Sequence, residues 1–181
     1  MSGEAAEFEA LFLGTRAPLL GYLTRRASPD DAADLLADVY LVAWRRRADL
    51  PQDDERRLWL FGVARRLLAE HHRLVGRRWD AEREAGVLAQ DRTGDDARGD
   101  AVRSALRSLG DLDRELVTLT AWEGLTPAEA ARVVGITGGT ARVRLHRARA
   151  RLARHPRMRA LLEESDADDV SPPASAVPAR A

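Results

Sequence analysis

Residues 125–154, LTPAEAARVVGITGGTARVRLHRARARLAR, carry two helical patterns split by a turn signal. Thr126 can cap the first helix, Pro127 suits its first position, and Glu129 completes a capping box. The hydroxyl and the carboxylate there satisfy amide donors that the start of a helix leaves without carbonyl partners. The pattern runs to about Val134. Gly135 follows, and lacking a Cβ it can take the left-handed conformation that a tight turn between crossing helices requires. Thr137 is the candidate cap of the second helix, in which Ala141, Leu145, Ala148 and Leu152 recur at i, i+4, i+7 and i+11 and form one apolar stripe. Two short helices joined in this way predict a helix-turn-helix.

The remaining faces of the second helix are crowded with arginine. Between Arg142 and Arg159 there are eight arginines and no acid, and like charges at helical spacing repel one another unless an anion lies alongside. A charge run can be no more than a solvated face. Solvated faces normally mix signs, however, and this one does not, which favours a nucleic-acid backbone as the counter-charge. In helix-turn-helix proteins the N-terminal part of the second helix meets base edges in the major groove. Thr140, Arg142, Arg144 and His146 are therefore expected near bases, with Arg147, Arg149 and Arg151 nearer phosphates.

The chain of 181 residues has room for one medium domain or two small ones. Its formal net charge of zero conceals alternating blocks. Residues 1–40 carry 3 basic and 7 acidic groups, residues 41–79 carry 10 and 5, residues 80–125 carry 6 and 11, residues 126–159 carry 9 and 1, and the remainder 1 and 5. Two basic segments between acidic ones predict nucleic-acid contact at two separated places and a different partner for the acidic faces. With no cysteine there is no disulfide, thiol switch or Cys-ligated zinc. The longest apolar run, about Leu58 to Ala64, falls far short of the roughly 20 residues of a membrane span, and no secretory signal pattern is visible. A cytoplasmic protein without membrane insertion is expected.

From the N-terminus, residues 4–26 read as a helix with Phe8, Leu11, Phe12, Leu19, Tyr22 and Leu23 on its apolar stripe, and Pro18 predicts a kink or a break. Ser28-Pro29-Asp30-Asp31 starts a second helix, with carboxylates near the positive end of its dipole, running to about Arg47. Ala32, Leu36, Val39 and Ala43 face inward, Leu35, Tyr40 and Val42 widen the stripe, and Asp34, Asp38 and Arg45 stay outside. Asp34 and Asp38, four apart, project from one face, as solubilising groups or as an acidic contact surface. Asp49 to Arg57 reads as a polar loop. It leads into RLWLFGVARRLLAEHHR, whose Leu60, Val63, Ala64 and Leu67 share one side while Arg56, Arg57, Arg65, Arg66 and Arg73 decorate others. Trp59 and Phe61 accompany those arginines, either as core residues or as the stacking groups that single-stranded nucleic acid needs; Trp59 is expected to be at least half buried.

Residues 76–100 are polar and Gly-containing and read as a flexible linker, with a helical turn around Ala81 to Leu88. Ala101 to Leu109 is a short helix presenting Val102, Leu106 and Leu109. Gly110 ends it and Asp111 caps the next, which turns Leu112, Leu116, Leu119 and Trp122 inward to brace the helix-turn-helix. After the last helix, residues 165–181 have the composition of a disordered tail. The fold class expected is all-α: two small helical domains joined by a flexible linker, the C-terminal one containing the helix-turn-helix.

Three segments together, DAADLLADVYLVAWRR, WLFGVARRLLAEHHR and the run from Ala105 to Leu152, resemble the extracytoplasmic-function (ECF) sigma factors of bacterial RNA polymerase. The resemblance covers about residues 8–75 and 101–155, and it implies two conserved regions: residues 1–75 as region 2 and 101–160 as region 4, with 76–100 as linker and 161–181 as the end of the last helix and the tail. It implies that Asp34 and Asp38, with Leu35 and Tyr40, bind core RNA polymerase at the clamp helices of the largest subunit. Arg56, Arg57, Trp59, Arg65, Arg66 and Arg73 would read the melted minus-ten element, with a flipped base held in loop 51–57. Thr140, Arg142, Arg144, His146, Arg147 and Arg149 would read the minus-thirty-five duplex. Further partners implied are the polymerase flap and an anti-sigma factor. Arg66, Glu70, Ala37 and Ala141 depart from residues common in the family, which bears on promoter choice because base selection depends on such side chains.

A rival is a helix-turn-helix regulator that binds duplex sites without serving as a sigma subunit; it has no need of the N-terminal acidic helix and basic-aromatic surface. No enzyme site is visible. Gly135, Gly138 and Gly139 lack the strand and spacing of a P-loop, and Asp111 and Asp113 are helix-start residues. His71 and His72, adjacent on a helix and so about 100° apart, have no third ligand at a zinc-site spacing. Neither a cofactor nor a metal is expected.

Overall fold

The computed structural model describes residues 3–84 and 97–161, and every regular element among them is helical. In chain order these are α1 (Gly3–Thr24), α2 (Pro29–Arg45), a 3-10 turn (Arg47–Asp49), α3 (Asp53–Glu84), α4 (Ala97–Arg107), α5 (Asp111–Ala121), α6 (Pro127–Val134) and α7 (Gly138–Ala153). A further helical stretch occupies residues 156–161.

Pro18 lies inside α1 and does not end it. A mid-helix proline costs about 3 kcal/mol. Leu19, Tyr22 and Leu23 just beyond it are at most 1% exposed, and burying each contributes roughly 1.5–3 kcal/mol, so packing outweighs the backbone penalty. α2 starts as its sequence predicts, with the Ser28 hydroxyl accepting from the Asp31 amide at 3.2 Å. Ala32, Leu36, Val39 and Ala43 are buried with Leu35 and Tyr40. From α3 come Leu58, Leu60, Phe61, Val63, Ala64 and Leu68, while Leu67 is only half-buried. Tyr22 and Phe61 meet edge-to-face, 5.4 Å between ring centres.

In the second half, α5 packs against both α6 and α7. The capping box at Thr126 is complete: Glu129 N donates to the Thr126 hydroxyl at 3.2 Å, and Thr126 N donates to the Glu129 carboxylate at 2.7 Å. The hydroxyl and amide of Thr126 hold the Glu129 carboxyl below the ordinary glutamate range. A folded value below the unfolded one means that this contribution is present above the unfolded pKa and is lost as pH falls through the lowered value. Replacing Thr126 with alanine is expected to cost about 1 kcal/mol, read as a lower thermal midpoint at pH 7 and a smaller difference from wild type in acid. Gly135 has φ +78°, and its amide bonds the Ala131 carbonyl at 2.9 Å, closing the turn. Ala141, Leu145 and Ala148 are buried along α7, with Leu152 half-buried.

Several boundaries differ from the sequence expectation. α3 begins at Asp53, inside the expected loop 49–57, and it continues to Glu84, so residues 76–84 are helical where a linker was expected. Of the predicted turn around Ala81 to Leu88, residues 81–84 belong to α3 and the rest lies outside the described residues, as do 85–96 and the tail from 162. α4 starts at Ala97 and buries Ala101 and Ala105, with Val102 and Leu106 half-buried. Gly110, rather than Asp111, is the cap of α5. Trp122 is 47% exposed, because α5 ends at Ala121 and the chain turns there.

The two halves are not apart in space. α3 packs against α6, and most of the buried apolar residues of both halves form one continuous cluster. No sequence pattern announced this contact.

Candidate nucleic-acid and polymerase interfaces

On α7, Thr140, Arg142, His146, Arg147 and Arg149 are exposed, away from the buried stripe. Arg142 and Arg149 lie on one flank of the outward face, Thr140, Arg144 and Arg147 on the other, with His146 between. Arg142 makes no hydrogen bond or ion pair among the described residues, so its fork is available to a base edge. Arg144 is held differently: it donates to Asp113 of α5 at 2.7 Å. That pair braces α7 on α5 and must be shared or broken before Arg144 reaches DNA. Beside α7 a groove of about 510 Å³ is lined by His146, Arg147, Arg151 and Arg154, together with Asp113 and Leu109. Sequence reasoning missed Val143, 52% exposed on this face. Its signal was a β-branched residue off the apolar stripe of an arginine-rich helix.

On α3 the six candidates divide. Trp59, Arg66 and Arg73 share one face at helical spacing; Trp59 is half-buried and packs on the core, while Arg66 and Arg73 are exposed. Arg56 donates to the Pro51 carbonyl at 2.9 Å and to Gln52 Oε1 at 3.3 Å, so it organises the loop before α3. A cleft of about 140 Å³ lies there, lined by Phe8, Leu11, Leu50, Arg47, Arg56 and Glu7. Arg57 and Arg65 turn elsewhere: Arg57 donates to the Glu123 carbonyl at 3.1 Å, and Arg65 lies half-buried toward Tyr22. Phe61 is fully buried, which removes it as a stacking group in this arrangement. His71 lies 3.7 Å from Asp31, and His72 Nε2 is bonded to the Arg26 carbonyl at 2.9 Å. No group of three metal-ligating side chains occurs among the described residues.

On α2, Asp34 and Asp38 are exposed on one face as expected. Leu35 and Tyr40 are not on that surface: they are 6% and 7% exposed, and the Tyr40 hydroxyl is bonded to the Thr15 hydroxyl at 2.8 Å. They support the helix from beneath and cannot meet a partner directly. The apolar run Val-Tyr-Leu-Val around them conceals the residue that does face outward, Leu41, 44% exposed and seven positions after Asp34.

An all-helical chain with an arginine-faced helix-turn-helix at one end and an acidic helix at the other is a DNA-binding protein of the transcription machinery. Residues 99–152 match the sigma-70, region 4 family. The ECF RNA polymerase sigma factor SigM of Mycobacterium tuberculosis is 32% identical over 156 residues, spanning 85% of this chain and 79% of the relative. SigF of Caulobacter vibrioides is 33% identical over 163 residues, 87% and 89% of the two chains. Among solved structures, the Bartonella quintana sigma factor RpoE, in complex with the anti-sigma factor NepR, superposes with a TM-score of 0.64 at 26% identity, over 81% of this chain and 94% of that one. CnrH in complex with the cytosolic domain of CnrY gives 0.62 at 26% identity, over 90% and 91%. The chain belongs to the ECF family of RNA polymerase sigma factors. As such it binds core RNA polymerase, recognises promoter DNA and helps open it for initiation.

Proposed function

We propose that residues 1–75 form region 2 and residues 101–160 form region 4, and that the division of labour follows the three exposed surfaces. α7 reads the minus-thirty-five duplex: Arg142 is the leading base reader, with Val143 offered to a thymine methyl and Arg147 and Arg149 on phosphates. The face of α3 carrying Trp59, Arg66 and Arg73 meets the melted minus-ten strand, and the cleft beside Arg56 receives an extruded base. Asp34 and Asp38, on the face of α2 that also carries Leu41, meet a basic partner on core polymerase. The observation that carries this reading is the acid-free arginine face of α7, presented outward on a complete helix-turn-helix. Action is in the cytoplasm, by binding and positioning, while RNA synthesis remains with the core enzyme. No described helix is long and apolar enough to cross a membrane. The solved relatives RpoE and CnrH were captured with NepR and the cytosolic domain of CnrY, which supports an anti-sigma protein as a partner here.

Run-off transcription with core RNA polymerase on fragmented genomic DNA tests the reading: discrete transcripts are expected only when the protein is added. Neither transcripts nor core binding would leave a duplex-binding regulator in its place. Reversing both charges, Asp34→Arg with Asp38→Arg, is expected to weaken core binding about tenfold, or ~1.4 kcal/mol, with the helical circular dichroism unchanged. Unaltered core affinity would remove this face from the interface.

A further inference from the structure

Elsewhere in the fold arginines are matched with acids. Arg25 and Arg26 hold the Glu123 carboxylate, whose side chain is 2% exposed, at 2.5 and 3.5 Å. Arg26 also lies 3.4 Å from Glu115, Arg114 pairs with Asp111 at 3.1 Å, and Arg132 pairs with Glu55. Among the described residues, α7 and its C-terminal cap depart from this pattern, for Arg144 alone has an acid there, Asp113. The guanidinium groups of Arg142, Arg147, Arg149, Arg151 and Arg154 make no hydrogen bond or ion pair with any described residue.

Three of these five stand together. Arg147, Arg151 and Arg154 follow at i, i+4 and i+7, so they share one flank of α7 and repel one another. They line the groove of about 510 Å³ beside that helix. Asp113, the acid that also lines it, is already held by Arg144 at 2.7 Å.

The chain carries a counter-charge a few residues further on. Glu163, Glu164, Asp166, Asp168 and Asp169 place five carboxylates within seven residues, with no basic residue among them. The helical stretch 156–161 leads to them without leaving α7, since its Met158 lines one apolar cleft with Leu152 of α7, Leu106, Val117 and Trp122. Returning over that short helix takes about 9 Å, and Arg154 to Arg147 is about 10 Å of α7, at about 1.5 Å per residue. The stretch of chain from Leu161 to Asp169 spans up to about 26 Å, so the acids reach every arginine of the flank. A single surface ion pair is weak. Attachment changes this, because linked groups meet at an effective concentration of roughly millimolar and several carboxylates act on one flank at once.

We propose that the segment Glu163–Asp169 docks in cis on the flank of α7 formed by Arg147, Arg151 and Arg154, where its carboxylates stand in for DNA phosphates. DNA must displace the segment to bind. The apparent affinity for DNA is then the intrinsic affinity reduced to the undocked fraction. Fewer counterions are released on binding, since the arginines are already neutralised. Docking rests on α7 and the acids alone; its meaning for promoter use rests on the sigma-factor reading.

The chain has no cysteine, so Gly139→Cys, at an exposed position with open space around it, and Ser171→Cys accept a label pair in the full-length protein. At low salt a short distance is expected, unchanged on dilution. Salt at about 1 M, where charges are screened beyond ~3 Å, should lengthen it. Arg151→Gln with Arg154→Gln should do the same, both positions being exposed and outside the core. Neutralising the acids, by Glu163→Gln, Glu164→Gln, Asp166→Asn, Asp168→Asn and Asp169→Asn together, should also lengthen it. That variant should bind a short DNA duplex about tenfold more tightly at low salt, if about nine molecules in ten are docked in the wild type. The log–log salt slope of binding should steepen by about two to three, close to one for each arginine released.

A long distance in the wild-type protein at low salt would overturn the proposal, and any gain in DNA affinity on neutralisation would then be a general charge effect. A short distance that survives neutralisation would overturn it too, as would DNA affinity that neutralisation leaves unchanged. A short distance lost on dilution would assign the contact to the tail of a second copy and overturn docking in cis. Failure to bind core polymerase would overturn the sigma-factor reading alone, because neither the distance nor duplex binding requires polymerase.

Discussion

Replacing Phe61 with alanine is expected to destabilise the fold by about 3–5 kcal/mol, seen as a lower denaturation midpoint in urea. The ring is fully buried, meets Tyr22 edge-to-face at 5.4 Å and lies 5.6 Å beneath the Arg57 guanidinium. Removing it opens a cavity where α1 meets α3, next to the junction with the second half. A side chain that served only to stack on a melted strand would behave otherwise, leaving the midpoint nearly unchanged while promoter opening fell. Phe61→Leu keeps most of the volume and is expected to recover much of the loss. A midpoint unmoved by Phe61→Ala would return Phe61 to the DNA surface.

Arg142→Ala is expected to weaken promoter binding at the minus-thirty-five element by about 1–3 kcal/mol, a loss of roughly 5- to 150-fold. The loss should depend on the sequence of that element, because the guanidinium that reads a base is gone. Arg144→Ala should cost less, since its guanidinium is already committed to Asp113 at 2.7 Å. Arg149→Ala provides the contrast: without its charge beside a phosphate, binding weakens on all sequences alike and the salt slope falls by about one. Binding of the holoenzyme to promoter fragments, with the upstream element varied base by base, separates these outcomes. An equal loss on every sequence for Arg142→Ala would make it a phosphate-binding residue.

The buried faces show what local chemistry can specify. Thr126, Glu129 and Gly135 define the helix-turn-helix through interactions within ten residues, and the capping box and the left-handed glycine occur where those residue types predict them. Ala32, Leu36, Val39 and Ala43 on α2, and Ala141, Leu145 and Ala148 on α7, are buried as their spacing implies. Each of these signals is short-range and periodic, so it survives without knowledge of the partner helix. Pro18 and Gly110 mark the edge of that legibility. Proline's local penalty is real but is outweighed by three buried neighbours, and the cap of α5 moves one residue because Gly110 takes the extended conformation itself.

The candidate sites are legible where exposure follows from charge and illegible where it depends on a neighbour. Asp34, Asp38, Arg142, Arg147 and Arg149 are outside because an unpaired charge is costly to bury. Family likeness assigns Leu35 and Tyr40 to the polymerase surface, yet they belong to the core; Leu41, the apolar residue that does face outward, sits in the same run and differs only in helical phase.

By itself, then, the sequence determined the helical elements, the helix-turn-helix, the arginine face and the acidic face, since each is set by periodicity, caps and charge within one segment. Only the tertiary structure decided that α6 lies against α3, that Phe61 is core, that Arg57 is tied to Glu123 and that Arg144 is tied to Asp113. Those depend on pairing between residues far apart in the chain, where an isolated acid such as Glu123 looks like any other surface charge until the fold surrounds it with arginines.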